Sequence, residues 1–228
     1  MNKIKDFLLN LIFPRECVIC GYEDTWLCPD CYQKIILIKS PTCPFCKRLT
    51  SKGEFCPTCR RKTTLTGIMI AAYYETPLKE VIHNYKYKMV KDLSEPLSDL
   101  LINHLQKFAL PSNPLVLPVP LHQKRLKERE FNQAALLGKK IADVFGLDFD
   151  DELIIRKINT KPQINLSSSE RKENVKNAFL CTNPQKVYKR NIILVDDVCT
   201  TGATLEACGA ELRKYNVRQI WGLVLARQ

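Results

Sequence analysis

From residue 66 onwards, short apolar runs alternate with stretches in which apolar residues recur at helical spacing. GIMIAAYY (67–74) is continuous, carries two aromatics and suits a buried strand. Residues 77–88 and 92–108 have helical spacing, with Leu93, Leu97, Leu100, Leu101, His104 and Leu105 on one face. LVLPVP (115–120) reads as a strand closed by prolines, and residues 132–145 as the helix after it. A strand over 153–157, a polar loop, a short strand over 178–181 and the strong strand 191–195 follow, then a helix over 202–215 and a strand over 217–226. Strands alternating with helices predict an α/β domain with a largely parallel sheet. Ligands of such sheets bind beyond the carboxyl ends of the strands.

Cysteine spacing orders the chain before residue 64. Eight of the 11 cysteines form four C-x-x-C pairs: Cys17/Cys20, Cys28/Cys31, Cys43/Cys46 and Cys56/Cys59. One knuckle aims two thiolates at a point, and two knuckles close a tetrahedral shell around zinc, so eight ligands make two Zn²⁺ sites. Pro29, Pro44 and Pro57 stiffen three of the knuckles by fixing φ. Iron–sulfur spacings do not match. Sequential pairing of the knuckles closes the shorter loops and is preferred over a cross-braced arrangement. Shells filled by thiolate leave no position for water, so both zincs are expected to be structural. They would supply folding energy that a segment of about 45 residues cannot draw from an apolar core. The expected organisation is an apolar helix over 1–14, a double zinc ribbon over 15–63 and the α/β domain over 64–228.

Charge adds a preference for anionic partners. Lys+Arg number 35 against 24 Asp+Glu, a formal +11, of which two zinc–thiolate shells would offset −4. No apolar run approaches the ~20 residues of a bilayer span. The apolar stretch FLLNLIF (7–13) is short and has no cleavage site after it, so a secretory signal is not expected. Thiols used as metal ligands suit a reducing compartment. The expected location is therefore cytoplasmic, with residues 4–13 either packed on their own domain or touching the inner face of the membrane peripherally.

After the strand IILV comes Asp196-Asp197-Val198-Cys199-Thr200-Thr201-Gly202-Ala203-Thr204, leading into a helix. Successive N–H groups at a helix start, with the positive end of its dipole, make a ready phosphate site. Gly202 permits close backbone approach, and Thr200, Thr201 and Thr204 add hydroxyls. Two adjacent carboxylates repel phosphate but accept hydrogen bonds from vicinal sugar hydroxyls or orient hydrated Mg²⁺. The combination describes a sugar-phosphate site, and it is neither a Walker A loop nor a Rossmann fingerprint. Further along the same surface, Lys124, Arg125, Lys127 and Arg129 follow the strand 115–120 and could hold a pyrophosphate. The polar segment 157–176, with Lys161, Gln163 and Arg171, reads equally as a surface loop or as a lid.

IILVDDVCTTGAT resembles the 5-phosphoribosyl-1-pyrophosphate (PRPP) signature of the type I phosphoribosyltransferases. With the cysteine block, VPLHQKRLKEREFNQA (119–134), Gln163, Arg171, Asn174 and Phe179, the whole chain resembles the ComF/GntX family, which is associated with DNA uptake in natural competence. The resemblance implies a type I phosphoribosyltransferase-like, mostly parallel sheet flanked by helices, preceded by a small Cys-rich double zinc ribbon. It puts residues 200–204 on the 5-phosphate, Asp196 and Asp197 on the ribose hydroxyls, the basic segment on pyrophosphate with Mg²⁺, and favours the lid. One departure stands out. The family reads R-G-F-N-Q where this chain has Arg129-Glu130-Phe131-Asn132-Gln133, so Glu130 removes backbone freedom and adds negative charge beside the proposed diphosphate.

Two functions of different class follow. One is a Mg²⁺-dependent phosphoribosyltransferase, a pentosyl transfer that needs positioning and charge stabilisation more than a side-chain nucleophile; the acceptor has no signature. The other is a non-enzymatic single-stranded DNA-binding protein, with Tyr85, Tyr87 and Phe131 stacking bases and other uptake proteins, such as a ComF-type helicase, as partners. A PRPP-sensing regulator is a third reading. Cys199 is a weak nucleophile candidate, Cys181 and Cys208 read as small apolar residues, and of His83, His104 and His122 only His122 is expected near the site.

Overall fold

A computed structural model describes residues 15–158, 175 and 177–227. The short helices α1 (Pro29–Gln33) and α2 (Pro57–Arg60) lie within the cysteine block. Then follow β1 (Gly67–Tyr73), α3 (Leu78–Tyr87), α4 (Ser94–Leu105), β2 (Pro114–Pro118), α5 (Gln123–Arg129), α6 (Gln133–Phe145), β3 (Asp148–Phe149), β4 (Ile154–Arg156), β5 (Phe179–Cys181), β6 (Asn191–Cys199), α7 (Ala203–Arg213) and β7 (Gln219–Arg227). The expected apolar helix over 1–14 and the lid candidates Lys161, Gln163 and Arg171 lie outside the described residues.

The main sheet has the order β1-β7-β6-β2-β3, every neighbouring pair parallel, and β4 with β5 forms a separate antiparallel pair. This is the parallel α/β architecture that the alternation of runs predicts. Three boundaries differ from expectation. The stretch 92–108 divides into a 3-10 turn, Lys91–Leu93, and α4, whose third residue is Pro96, tolerated in a first turn where no N–H is needed. The strand expected to stop at Val195 runs on through both aspartates to Cys199, because β7 pairs with it that far, Asp196 against Val224 and Cys199 against Arg227. The basic stretch after β2 is the helix α5.

β6 and β7 are covered on both sides, which is why they read as continuous apolar runs. On one face Ile193, Val195, Trp221, Leu223 and Leu225 pack with α3, α4 and α6; on the other, Ile192, Leu194, Ile220 and Val224 pack with α7 and the β4–β5 pair. The two knuckle pairs divide between these faces. Cys17, Leu27, Cys28, Cys31 and Ile35 join the first cluster, while Cys43 and Phe55 join the second.

The same segment also covers the sheet's edge. β1 is terminal in strand order, yet its outer side bonds the ribbons: Ile38 N–H to Ala71 O (2.9 Å), Tyr73 N–H to Ile36 O (3.0 Å), Phe55 N–H to Thr66 O (3.1 Å) and Ile68 N–H to Gly53 O (2.9 Å). An edge that would otherwise present unpaired backbone groups is thereby closed. Side chains add further ties. Trp26 Nε1–H donates to Asp92 Oδ2 at 3.1 Å, and Glu206 in the first turn of α7 accepts Thr63 Oγ1–H at 2.5 Å and Thr64 N–H at 2.8 Å. Among the described residues, no helix is long and apolar enough to cross a membrane.

Candidate functional site

At the carboxyl end of the sheet lies an open cleft of about 670 Å³, bounded by α3, the segment after β2, α5, β4 and the β6–α7 turn. Strand alternation puts adjacent residues on opposite faces, and it separates the two aspartates. Asp197 turns towards α3, where Lys86 Nζ lies 2.7 Å from its Oδ1. Asp196 shares an environment with Arg156 and Cys208 on the other face. Local backbone donors hold both: Asp196 Oδ1 accepts Asp197 N–H at 2.9 Å, and Asp197 Oδ1 accepts Val198 N–H at 2.6 Å. Burial, then the charge of Asp197, pushes the Asp196 carboxyl up to about 7 from its ordinary 3.8, although Lys86 and Arg156 oppose the rise.

That shift has a sign. Between about pH 4 and about 7 the native state holds the Asp196 proton more tightly than the unfolded chain does, so native stability falls as pH rises through this window. Asp196→Asn removes the titration and keeps an oxygen to accept the Asp197 N–H. It is expected to stabilise the protein by on the order of 2 kcal/mol at about pH 8, the advantage shrinking towards about pH 5. Urea midpoints measured at the two pH values check it; a difference independent of pH would contradict the assignment.

The turn after β6 has the geometry the residue types suggest. Gly202 takes φ +76° at the N-cap of α7, where an added Cβ would meet only ordinary contacts; the left-handed backbone, rather than space, calls for glycine. Thr201 Oγ1 accepts Ala203 N–H at 3.3 Å. Thr200 and Thr204 line the cleft, and a small recess beside them is bounded by Val198, Cys199 and Ala203. The Cys199 side chain is buried, and burial pushes its thiol up to about 11, so it is protonated at neutral pH.

Of the four basic candidates, helical periodicity brings Arg125 and Arg129 to the cleft as an i,i+4 pair, while Lys124 and Lys127 are exposed elsewhere. His122 caps α5, its Nδ1 accepting Lys124 N–H at 3.2 Å. Glu130 ends the helix at φ +64°, the conformation glycine adopts freely, and is exposed; the carboxylate that reaches the cleft is Glu128. A left-handed non-glycine costs about 1 kcal/mol. Glu130→Gly is therefore expected to raise stability by roughly that amount, while Glu130→Ala, which retains the Cβ, does not. Guanidinium denaturation of the two variants side by side decides.

The structure also brings in residues that no motif announced, namely Lys79, His83 and Lys86 from α3 and Arg156 from β4, its guanidinium 5.6 Å from the Phe179 ring, and it adds Tyr87, a stacking candidate, to the same lining. His83 lines the cleft and His122 does not, the reverse of the expectation that only His122 would be near. Tyr85 is no stacking surface, since it is fully buried and donates its hydroxyl to Gln133 O at 3.0 Å. Phe131 packs half-buried on it at 5.6 Å. Only Tyr87 is open to solvent, with the Arg129 guanidinium 5.3 Å from its ring.

The knuckles pair sequentially: Cys17, Cys20, Cys28 and Cys31 form one cluster and Cys43, Cys46, Cys56 and Cys59 the other, the Sγ atoms of each within 4.8 Å of one another. Cys20–Cys28 and Cys46–Cys56 separations of 3.6 and 3.5 Å suit a tetrahedron with Zn–S of about 2.3 Å. Burial opposes ionisation of Cys17 and Cys43, yet converging backbone N–H groups carry both thiols down to about 6. Burial, then the neighbouring thiols, pushes Cys31 and Cys59 up to about 12. These are two four-thiolate zinc sites, each combining at least one thiol poised to ionise with one that gives up its proton to the metal.

Comparison with known proteins agrees with this geometry. A double zinc ribbon domain matches residues 8–60 and a phosphoribosyl transferase domain residues 132–228. Competence protein F of Haemophilus influenzae is 32% identical over 168 residues, 70% of this chain and 72% of that protein. DNA utilization protein YhgH of Escherichia coli is 33% identical over 68% of this chain and 70% of its own length. Competence protein ComFC of Bacillus subtilis is 27% identical over 90% of this chain and 85% of its own. A Trypanosoma cruzi hypoxanthine phosphoribosyl transferase structure aligns with 63% of this chain and 67% of its own at 16% identity and a TM-score of 0.36.

Proposed function

Because the chain belongs to the competence protein F family, a double zinc ribbon joined to a phosphoribosyl transferase domain, we propose that its cleft binds PRPP or a related sugar phosphate with Mg²⁺. The observation carrying this reading is the opposition, across one cleft, of a strand-end carboxylate pair, a glycine-opened helix N-terminus and two arginines from a third element.

The roles follow from charge and reach. The N–H groups of residues 200–204 and the dipole of α7 take the 5-phosphate. Asp196 and Asp197 accept the ribose hydroxyls. Arg125 and Arg129 take the diphosphate, arginine's planar fork matching its oxygens. Asp196 and Asp197 would be the residues to hold a Mg²⁺ that enters with the diphosphate, and the ion would supply charge neutralisation for the leaving group. In transfer, the bond from ribose C1 to the diphosphate oxygen breaks as an acceptor's lone pair bonds C1 from the opposite face. The protein's part is positioning and electrostatics, which suits a site whose neighbouring cysteine Cys199 is protonated. The relatives' names, competence protein and DNA utilization protein, favour a role in the handling of DNA, and zinc-binding thiols suit a reducing cytoplasm.

Calorimetry of the zinc-loaded chain with PRPP and Mg²⁺ tests the reading. Saturable heat in the wild type, weakened at least about a hundredfold in Asp197→Asn, is expected. No heat at about millimolar PRPP overturns it. A second reading, binding of single-stranded DNA, is favoured by Tyr87 alone, half exposed beneath Arg129 at the cleft. It requires affinity for an oligonucleotide that falls steeply with salt and drops in Tyr87→Ala.

A further inference from the structure

Lys86 is held by one of the acids assigned to the sugar. Its Nζ and the Val198 N–H both lie on Asp197 Oδ1, at 2.7 and 2.6 Å, with the lysine and aspartate side chains 17% and 12% exposed. A sugar hydroxyl that approaches Asp197 competes with this ammonium. Charges of both signs act on Lys86: Asp196, after Asp197, favours its cation, and the Arg129 guanidinium opposes it. The lysine thus shares the cleft with both its acidic end and the arginines of α5, and its flexible four-carbon stem can carry it from one towards the other. Burial works against its charge, yet the two aspartates keep it protonated.

We propose that Lys86 is the exchange residue of the site, passing from Asp197 to the diphosphate when a sugar diphosphate binds. This rests on the sugar-phosphate reading above. One movement does two things: it frees Asp197 to accept the ribose hydroxyls and adds a third cation to Arg125 and Arg129 around the diphosphate. The cleft is then selective for a ligand carrying both groups. A free ribose phosphate has to displace the lysine without offering it an anion nearby, and a free pyrophosphate draws the lysine away and leaves the aspartate unpaired.

The test uses the full zinc-loaded chain with Mg²⁺ and three probes, PRPP, inorganic pyrophosphate and ribose 5-phosphate. They are titrated into wild type, Lys86→Met, which keeps the length without the charge, and Lys86→Arg. Zinc content and melting are measured alongside to show that each variant is folded. The expected result is a loss of about tenfold or more in PRPP and pyrophosphate affinity for Lys86→Met, regained in Lys86→Arg, while ribose 5-phosphate binds Lys86→Met as well as or better than wild type. Unchanged pyrophosphate binding in a folded Lys86→Met, or equal losses for pyrophosphate and ribose 5-phosphate, overturns the exchange while wild-type PRPP binding still stands. Wild type that binds none of the three probes overturns the sugar-phosphate reading and the exchange together.

Discussion

Stripping both zincs is expected to unfold the entire described chain and not the ribbons alone. Each structural zinc contributes about 10–16 kcal/mol to folding in small zinc-finger peptides, whereas a whole domain is stable by about 5–15 kcal/mol. Loss on that scale matters to the α/β domain because the ribbons are built into it. Cys17, Cys28 and Cys31 belong to the core on one face of the sheet, Cys43 and Phe55 to the core on the other, and residues 36–38 and 53–55 bond the open edge of β1. Metal analysis should find two zincs per chain. A strong chelator, or acidification that protonates the thiolates, should release them and abolish the cooperative thermal transition followed by circular dichroism. A sheet that still melts at its original temperature after zinc release would contradict this coupling. Because Glu206 ties the second ribbon to the first turn of α7, releasing zinc from Cys43, Cys46, Cys56 and Cys59 should also weaken phosphate binding.

Substituting Gly67 tests the same docking without touching the metal. A Cβ at Gly67 would lie 2.6 Å from Gly53 O, 2.8 Å from Glu54 Cα and 2.5 Å from Trp221 Cζ3. Two of these are backbone atoms of the ribbon segment that bonds β1, and they cannot turn aside as a side chain tip can. Trp221 is itself 2% exposed in the core. Gly67→Val is therefore expected to destabilise by about 3 kcal/mol or more, the upper range for overpacking, with zinc content unchanged. Faster proteolytic cleavage within residues 40–66 would accompany the loss as the second ribbon lifts from the edge. A variant that melts like wild type would show that ribbon and sheet are only loosely apposed.

Much of this organisation was legible along the chain, and the particular misses explain its limits. The apolar run 67–74, the helical spacing before and after it and the run 191–195 each mark an element buried by its own periodicity. The eight cysteines name their metal because C-x-x-C spacing brings two thiolates together whatever the rest of the chain does. The nine residues from Asp196 to Thr204 mark the turn on which the proposed sugar-phosphate site rests for a similar reason: a strand end, a left-handed glycine and a helix start are all local. The helix α5 was less visible, since its seven residues are nearly all polar and leave no apolar stripe. β3, two residues long, exists through its pairing with β2.

Relations between residues far apart in sequence emerged from packing alone. Lys86 and Asp197 meet across more than a hundred residues, and so do Thr63 and Glu206. Arg125 reaches the cleft while Lys124 does not, because α5 presents one face to it. The ribbons straddle the sheet because its first strand leaves an edge unbonded. Periodicity, metal knuckles and a glycine-containing strand-to-helix turn were readable from the chain because each is set by backbone geometry within a few residues. Which charges face one another was left to packing, since electrostatic pairing depends on distances in space that no spacing along the chain expresses.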